Sequence, residues 1–218
     1  MELGATTWTD VAAPIVVVPV GSCEQHGPHL PLHTDTTIAT ALTRALCGHR
    51  SDCVVAPPIT VSASGEHAGF PGTLSIGTTV MTDVIVELAR SADWADGVVF
   101  VNGHGGNLVA MRRAAEVFER ERRRVLIWWP NLPGGDLHAG RTETSLMLAL
   151  APAEVRPDRI EAGRVPQLAE VMRQGVRALS ANGVLGDPTG PDPTEGTELF
   201  ERLVEQLESS VAAWVDAR

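Results

Sequence analysis

Cysteine is scarce in this chain, and none of it lies in a Cys-x-x-Cys pair. The odd count of three, Cys23, Cys47 and Cys53, supports neither a disulfide framework nor a thiolate zinc site. Cys23 adjoins Glu24, so a catalytic thiol has to be weighed there against the commoner role of a buried small apolar side chain. Long apolar stretches are missing too. The run Ile15-Val16-Val17-Val18-Pro19-Val20 falls well short of the roughly 20 residues that cross a bilayer. The first residues lack the basic start and apolar block of a signal peptide, and a soluble, cytoplasmic protein is the expectation. Lys and Arg number 17 against 27 for Asp and Glu, a formal net charge of -10. That balance excludes nucleic acid and anionic membrane as expected partners, since both are held by clustered cations. The one basic stretch, residues 112–124, is broken by Glu116, Glu119 and Glu121 and reads as a solvated helix face. Repeats and low-complexity tracts are absent, and a chain of 218 residues is expected to form one domain over residues 1–218.

Apolar, β-branched runs alternate with segments of helical spacing. Residues 14–20, 53–56, 97–101 and 125–129 read as buried strands. Residues 36–47, 79–92, 108–123, a stretch from about 142, 164–180 and 195–216 read as helices. Strands alternating with helices of this length predict an α/β fold: three layers, α/β/α, around a mostly parallel central sheet. In such sheets the site lies beyond the carboxyl ends of the strands. The loops after residues 20, 101 and 129 occupy those positions and hold most of the metal-type side chains.

Of the seven histidines, His49 alone lies outside the polar or glycine-rich loops; the others are His26, His29, His33, His67, His104 and His138. Glycine nearby lets the backbone turn an imidazole inward at a fixed point. Glu24-x-His26 followed by Asp35 offers two carboxylates and an imidazole from one loop, and His104 and Glu143 add donors from neighbouring strand ends. A mixed oxygen and nitrogen set suits one or two divalent ions, Zn, Fe or Mn. A lone loop histidine is ordinarily a hydrogen-bonded surface residue, and His49 fits that description. Clustering at adjacent strand ends favours ligands for Glu24, His26, Asp35 and His104, and leaves His29 and His33 undecided. Glu143 in the first turn of its helix also complements the macrodipole. Gly103-His104-Gly105-Gly106 lacks the spacing and lysine of a phosphate loop. Trp8, Trp94 and Trp128-Trp129 are expected to pack, and Phe70-Pro71-Gly72 is either a pocket wall or a tight turn.

Three segments resemble the signature blocks of the creatininase family, in family order. They are Gly21-Ser22-Cys23-Glu24-Gln25-His26-Gly27-Pro28-His29 with Thr34-Asp35-Thr36, then Asn102-Gly103-His104-Gly105-Gly106-Asn107, then His138-Ala139-Gly140-Arg141-Thr142-Glu143. The segments around Ser64-Gly65-Glu66-His67 and Gly183-Val184-Leu185-Gly186, with the late Glu195-Gly196, are similar to the branch of that family whose members trim a modified precursor peptide during maturation of a ribosomally made redox cofactor.

The resemblance implies a creatininase-like fold and a metal-dependent hydrolase of carbon–nitrogen amide bonds. It implies Glu24, His26, Asp35 and His104 as metal ligands, with Asp35 bridging if two ions bind. Glu143 becomes a further ligand or a catalytic carboxylate, and His138 a proton donor or transition-state stabiliser. It also implies a modified precursor peptide as substrate and a closed homo-oligomer, a hexamer or larger. Creatininase itself carries a metal-binding glutamate where this chain has Gly106, which argues against creatinine and leaves Glu143 to complete a second metal site. An acidic residue is common in the family where Arg141 stands, and a cation there could meet a peptide carboxylate. The rival readings are an amidohydrolase of a small cyclic or formyl amide, and a non-catalytic binding protein with a saturated structural metal.

Overall fold

The computed structural model describes residues 1–12 and 14–217. Four strands, β1 (Ile15–Val20), β2 (Cys53–Val55), β3 (Gly97–Asn102) and β4 (Val125–Trp128), pair in parallel in the order β2-β1-β3-β4. Seven α-helices accompany them among the described residues: α1 (Thr34–His49), α2 (Gly77–Ser91), α3 (Leu108–Glu121), α4 (Arg141–Leu150), α5 (Leu168–Gln174), α6 (Val176–Leu179) and α7 (Pro193–Asp216).

The two-residue period of a strand sorts the core into two halves. Ile15, Val17, Val99 and Val101 face one side and pack with Leu42 and Leu46 of α1, Met147 of α4 and Leu207 of α7. Val16, Val18, Val98 and Phe100 face the other side and pack with Ile85 of α2 and Met111 and Phe118 of α3. Because both faces are covered, β1 and β3 are buried along their whole length, which is why they read as unbroken apolar runs in sequence. The result is the expected three-layer α/β/α arrangement.

Strand order reverses at β1. The chain leaves β1 through α1 to β2 on one side, then returns through α2 to β3 on the other. A crevice opens at the carboxyl ends of β1 and β3, where ligands bind in sheets of this kind.

Element boundaries match the sequence expectation within a few residues, with one exception. The helix expected over residues 164–180 is two short helices, α5 and α6, divided at Gly175. Gly175 has φ +76, a conformation that ends one helix before the next begins and that a residue with a β-carbon rarely adopts. Two of the tryptophans expected to pack do not: Trp8 is 87% exposed and Trp94 46%. No helix among the described residues is long and apolar enough to cross a membrane.

Candidate metal centre

The loop after β1 turns inward, so that Glu24 and His26 are fully buried and Asp35 follows in the first turn of α1. His104 follows β3 after Gly103, and its Nδ1 lies 3.1 Å from Asp35 Oδ2 while its Nε2 lies 3.1 Å from Glu24 Oε2. On the other side of Asp35, His26 Nε2 is 3.0 Å from Oδ1 and 4.0 Å from Glu143 Oε2. Asp35 therefore belongs to two groups that could each hold a cation, one with Glu24 and His104 and one with His26 and Glu143. One of its oxygens faces each group, the disposition a bridging carboxylate requires. His138 Nδ1 is 3.7 Å from Glu24 Oε1 and completes a third grouping with Glu24 and His26.

Both carboxylate oxygens of Glu24 are buried and make no well-aligned hydrogen bond, with the His104 and His67 rings facing them at 3.1 and 3.3 Å. A buried carboxylate so incompletely satisfied is costly, and a divalent cation would satisfy it. A carboxylate and imidazole donor set of this density fits a divalent ion.

The electrostatics agree. Burial pulls the His26 imidazolium down, but the Asp35 carboxylate outweighs it, helped by Glu143 and Glu24, and the pKa rises to about 10. His104 is likewise disfavoured as a cation by burial yet carried well above the usual imidazole range by Glu24 and Asp35. Burial opposes ionisation of Asp35, and His26 and His104 reverse that, holding it well below the usual carboxylate range. In the metal-free chain, protons on the two histidines supply the positive charge that a divalent ion would otherwise bring. Glu143 is pushed up to about 7, chiefly by burial. His138 is pushed well down by burial and by His26 and His67, and is neutral.

Local backbone fixes the last two groups. Ala139 is buried with φ +52, an uncommon conformation for a residue with a side chain, and its N–H donates to Glu143 Oε2 at 2.6 Å. The turn thus orients Glu143 at the start of α4 while His138 points at Glu24 from the same segment. The position of Glu143 in the first turn of α4 is the one that complements the helix macrodipole.

All six side chains singled out from sequence, Glu24, His26, Asp35, His104, His138 and Glu143, come together at the β1/β3 crevice. The two undecided histidines do not join them. His29 is buried and bonded to Thr144 Oγ1 at 2.9 Å, and His33 is an exposed partner of Glu154. Cys23 donates to the Gly72 carbonyl and belongs to none of the cation groups. Arg141 pairs with Glu195 at 2.8 Å, so its charge is engaged within the chain. Phe70 packs with Val171, Val176 and Leu185 beneath the Arg177 guanidinium and forms part of a small satellite core.

Three participants were not foreseen: Gln25, Glu66 and His67. His67 Nε2 lies 3.3 Å from Glu24 Oε1, and Glu66 Oε1 lies 3.5 Å from His104 Nε2. The signal available was the pair Glu66-His67 in a glycine-rich loop, but β2 is only three residues long and its following loop gave no strand end to place them by. Glu66 reaches the centre because position 106 has no side chain. A β-carbon on Gly106 would sit 1.9 Å from Glu66 Oε1, 2.4 Å from His104 Nε2 and 2.5 Å from the Ala63 carbonyl. The space a glutamate at 106 would need is filled by the Glu66 carboxylate. Gly106→Ala should therefore push Glu66 and His104 aside and weaken metal retention about tenfold, read by dialysis against a chelator; an unchanged metal affinity would remove Glu66 from the centre.

Above the charged floor, Leu108, Trp129, Leu137, Leu168 and Met172 form an apolar wall around a cavity of about 310 Å³. Leu168 and Met172 are more than half exposed at its mouth.

A family model described as creatininase, creatinine amidohydrolase, matches residues 4–211. A mycofactocin precursor peptide peptidase of Mycobacterium tuberculosis (strain H37Rv) is 47% identical, covering 98% of this chain and 92% of its own length. The creatinine amidohydrolase of Pseudomonas putida is 31% identical over 72% of this chain and 75% of its own. A mutant creatininase described as Zn-Zn type superposes with a TM-score of 0.80 over 96% of both chains at 24% identity, a likeness of fold.

Proposed function

This chain belongs to the creatininase family, and on that premise we propose that it is a divalent-metal peptidase that removes the C-terminal dipeptide from the modified mycofactocin precursor peptide. It is a hydrolase of carbon–nitrogen amide bonds. The observation that carries the metal dependence is the Glu24 carboxylate, buried with neither oxygen in a well-aligned hydrogen bond, grouped with Asp35 and His104. Peptide as substrate is supported by the identity to the mycobacterial peptidases and by an apolar wall that can receive apolar side chains.

Glu24, Asp35 and His104 would hold one ion, and His26, Asp35 and Glu143 a second, of Zn, Mn or Fe; solved creatininases are described as Zn-Zn type and as Mn. Bound there, a divalent cation supplies Lewis acidity and brings the pKa of water down to about 7. The chain supplies the rest. Glu143, held by the Ala139 N–H, serves as a ligand of the second ion or, with one ion bound, as the carboxyl that returns a proton to the departing amine. His138, neutral beside Glu24, orients the reacting groups and helps carry the proton. The wall of Leu108, Trp129 and Leu137 keeps bulk water from the floor. A cavity of about 310 Å³ is at the lower end of the roughly 300–1,000 Å³ usual for ligand sites, suited to one or two residues at a time.

We further propose that copies assemble into a closed homo-oligomer, a hexamer or larger, in the cytoplasm. The exposed Trp8 and Trp94, which share a surface recess with Leu3, are the face such assembly would cover.

The experiment is a comparison of the modified precursor peptide, creatinine and a formylamino-pyrimidine, each with added Zn, Mn or Fe and mass spectrometry of products. Release of a dipeptide from the first and no turnover of the others is expected. Creatinine opening or deformylation without peptide cleavage would move the function to the small-amide branch. No turnover of any substrate by a metal-saturated chain would make the centre structural.

A further inference from the structure

The side-chain amide of Gln25 is oriented by backbone at both ends. Its Oε1 accepts from the Gly27 N–H at 2.9 Å, and its Nε2 donates to the Gly183 carbonyl at 3.0 Å. An amide turned the other way would place donor against donor and oxygen against oxygen. The second hydrogen on Nε2 is directed at His67 Nδ1, 2.8 Å away. A ring nitrogen that accepts carries no hydrogen, so the neutral His67 ring bears its hydrogen on Nε2, the atom 3.3 Å from Glu24 Oε1.

His138 is held from the same residue in the reverse sense. Its Nε2 lies 2.7 Å from the Gln25 backbone carbonyl, which can only accept, so the hydrogen is on Nε2. Its Nδ1, 3.7 Å from the same Glu24 oxygen, presents a lone pair. The contact of 3.0 Å between His138 Nε2 and Gln25 Nε2 is then a proximity of two donors whose hydrogens are committed elsewhere. Both amide hydrogens, both acceptors and both rings are accounted for by one arrangement.

We propose that Gln25 is a positioning residue that makes His67 an N–H donor and leaves His138 an acceptor, on two sides of Glu24. His67 then lends no lone pair to a cation, although it lies in a group with Glu24 and Glu66 close enough to hold one. Its Nε2–H is a fixed donor at the floor of the cavity: it faces Glu24 Oε1 at 3.3 Å, and once that carboxylate is drawn to an ion it can serve an oxygen that gains negative charge as an amide carbonyl is attacked. That catalytic meaning rests on the amide-hydrolase reading above; the hydrogen positions do not.

Neutron diffraction from the zinc-loaded enzyme in deuterated solvent reads them directly. Deuterium on His67 Nε2 and none on Nδ1 is expected, and deuterium on Nδ1 overturns the proposal. Gln25→Glu places an acceptor at His67 Nδ1 and forces the hydrogen there. The variant should keep the zinc stoichiometry of the wild type and its KM within about twofold, while kcat falls roughly 10²-fold. Wild-type kcat in Gln25→Glu, or zinc lost in step with activity, also overturns it. If the wild type cleaves no peptide at all, the functional reading fails while the neutron result still decides the role of Gln25.

Discussion

Glu24→Gln should retain no measurable zinc or manganese after dialysis and should hydrolyse amides at least about 10³-fold more slowly than wild type. A metal ion contributes several kcal/mol to charge stabilisation in the transition state, and each 1.36 kcal/mol is about tenfold in rate. Glu24 is the side chain whose loss is felt most widely, because it faces His104 and His67 at 3.1 and 3.3 Å, and His138 beyond them. The same substitution has a second consequence. In the metal-free wild type burial disfavours the Glu24 carboxylate, but the His104 imidazolium, 3.1 Å from Oε2, outweighs it and holds the pKa below the usual value. A neutral amide leaves that buried cation short of a counter-charge, so the metal-free variant should melt below metal-free wild type. Added zinc should raise the melting temperature of wild type, by the equivalent of about 2.7 kcal/mol at one hundred times Kd, and leave the variant unmoved. A variant that binds zinc with wild-type stoichiometry would show that Glu24 is not at the metal.

The strand-end rule located this centre because β1 and β3 are buried on both faces and end abruptly in polar loops, leaving their sequence signature sharp. Glu24 and His26 come from one such loop and Asp35 from the first turn of the helix that follows it, while His104 follows β3 after Gly103. What sequence could not place was anything supplied across the crevice by a segment without its own periodicity. Glu66 and His67 lie in a short 3-10 turn of Gly65–His67, and their approach depends on Gly106 lacking a side chain, a contact between residues forty positions apart. Gln25 was legible only as a neighbour of Glu24; its role follows from backbone at Gly27 and Gly183, which no local pattern connects. The break at Gly175 was missed for a related reason. Apolar spacing continues across 164–180, and only the positive φ separates α5 from α6.

The ion held by His26, Asp35 and Glu143 should bind about 10³-fold more weakly at pH 6 than at pH 8. A ligand must give up its proton to a metal, so each proton displaced costs about tenfold in affinity per pH unit below its pKa. His26, raised to about 10, is protonated throughout this range and accounts for about a hundredfold; Glu143, raised to about 7, contributes roughly another tenfold as it becomes protonated. The stability of the metal-free chain should change in the opposite direction. His26 binds its proton more tightly folded than unfolded, so its contribution is fully present below about pH 6.5 and is lost as pH rises toward 10. Glu143 acts with the same sign between about 4.5 and 7, where the folded state holds a proton that the unfolded state has released. His29 and His67, lowered to about 4 mainly by burial, act oppositely, so stability is lost as pH falls from 6.5 toward 4. Above pH 6.5 the melting temperature of the metal-free chain should therefore fall while that of the zinc-saturated chain holds or rises. Calorimetric titration of zinc in buffers of different ionisation enthalpy would count the protons released. A count of only about one at pH 7, the proton that His104 alone would give up, would mean that neither His26 nor Glu143 meets the ion, and the second half of the centre would have to be redrawn.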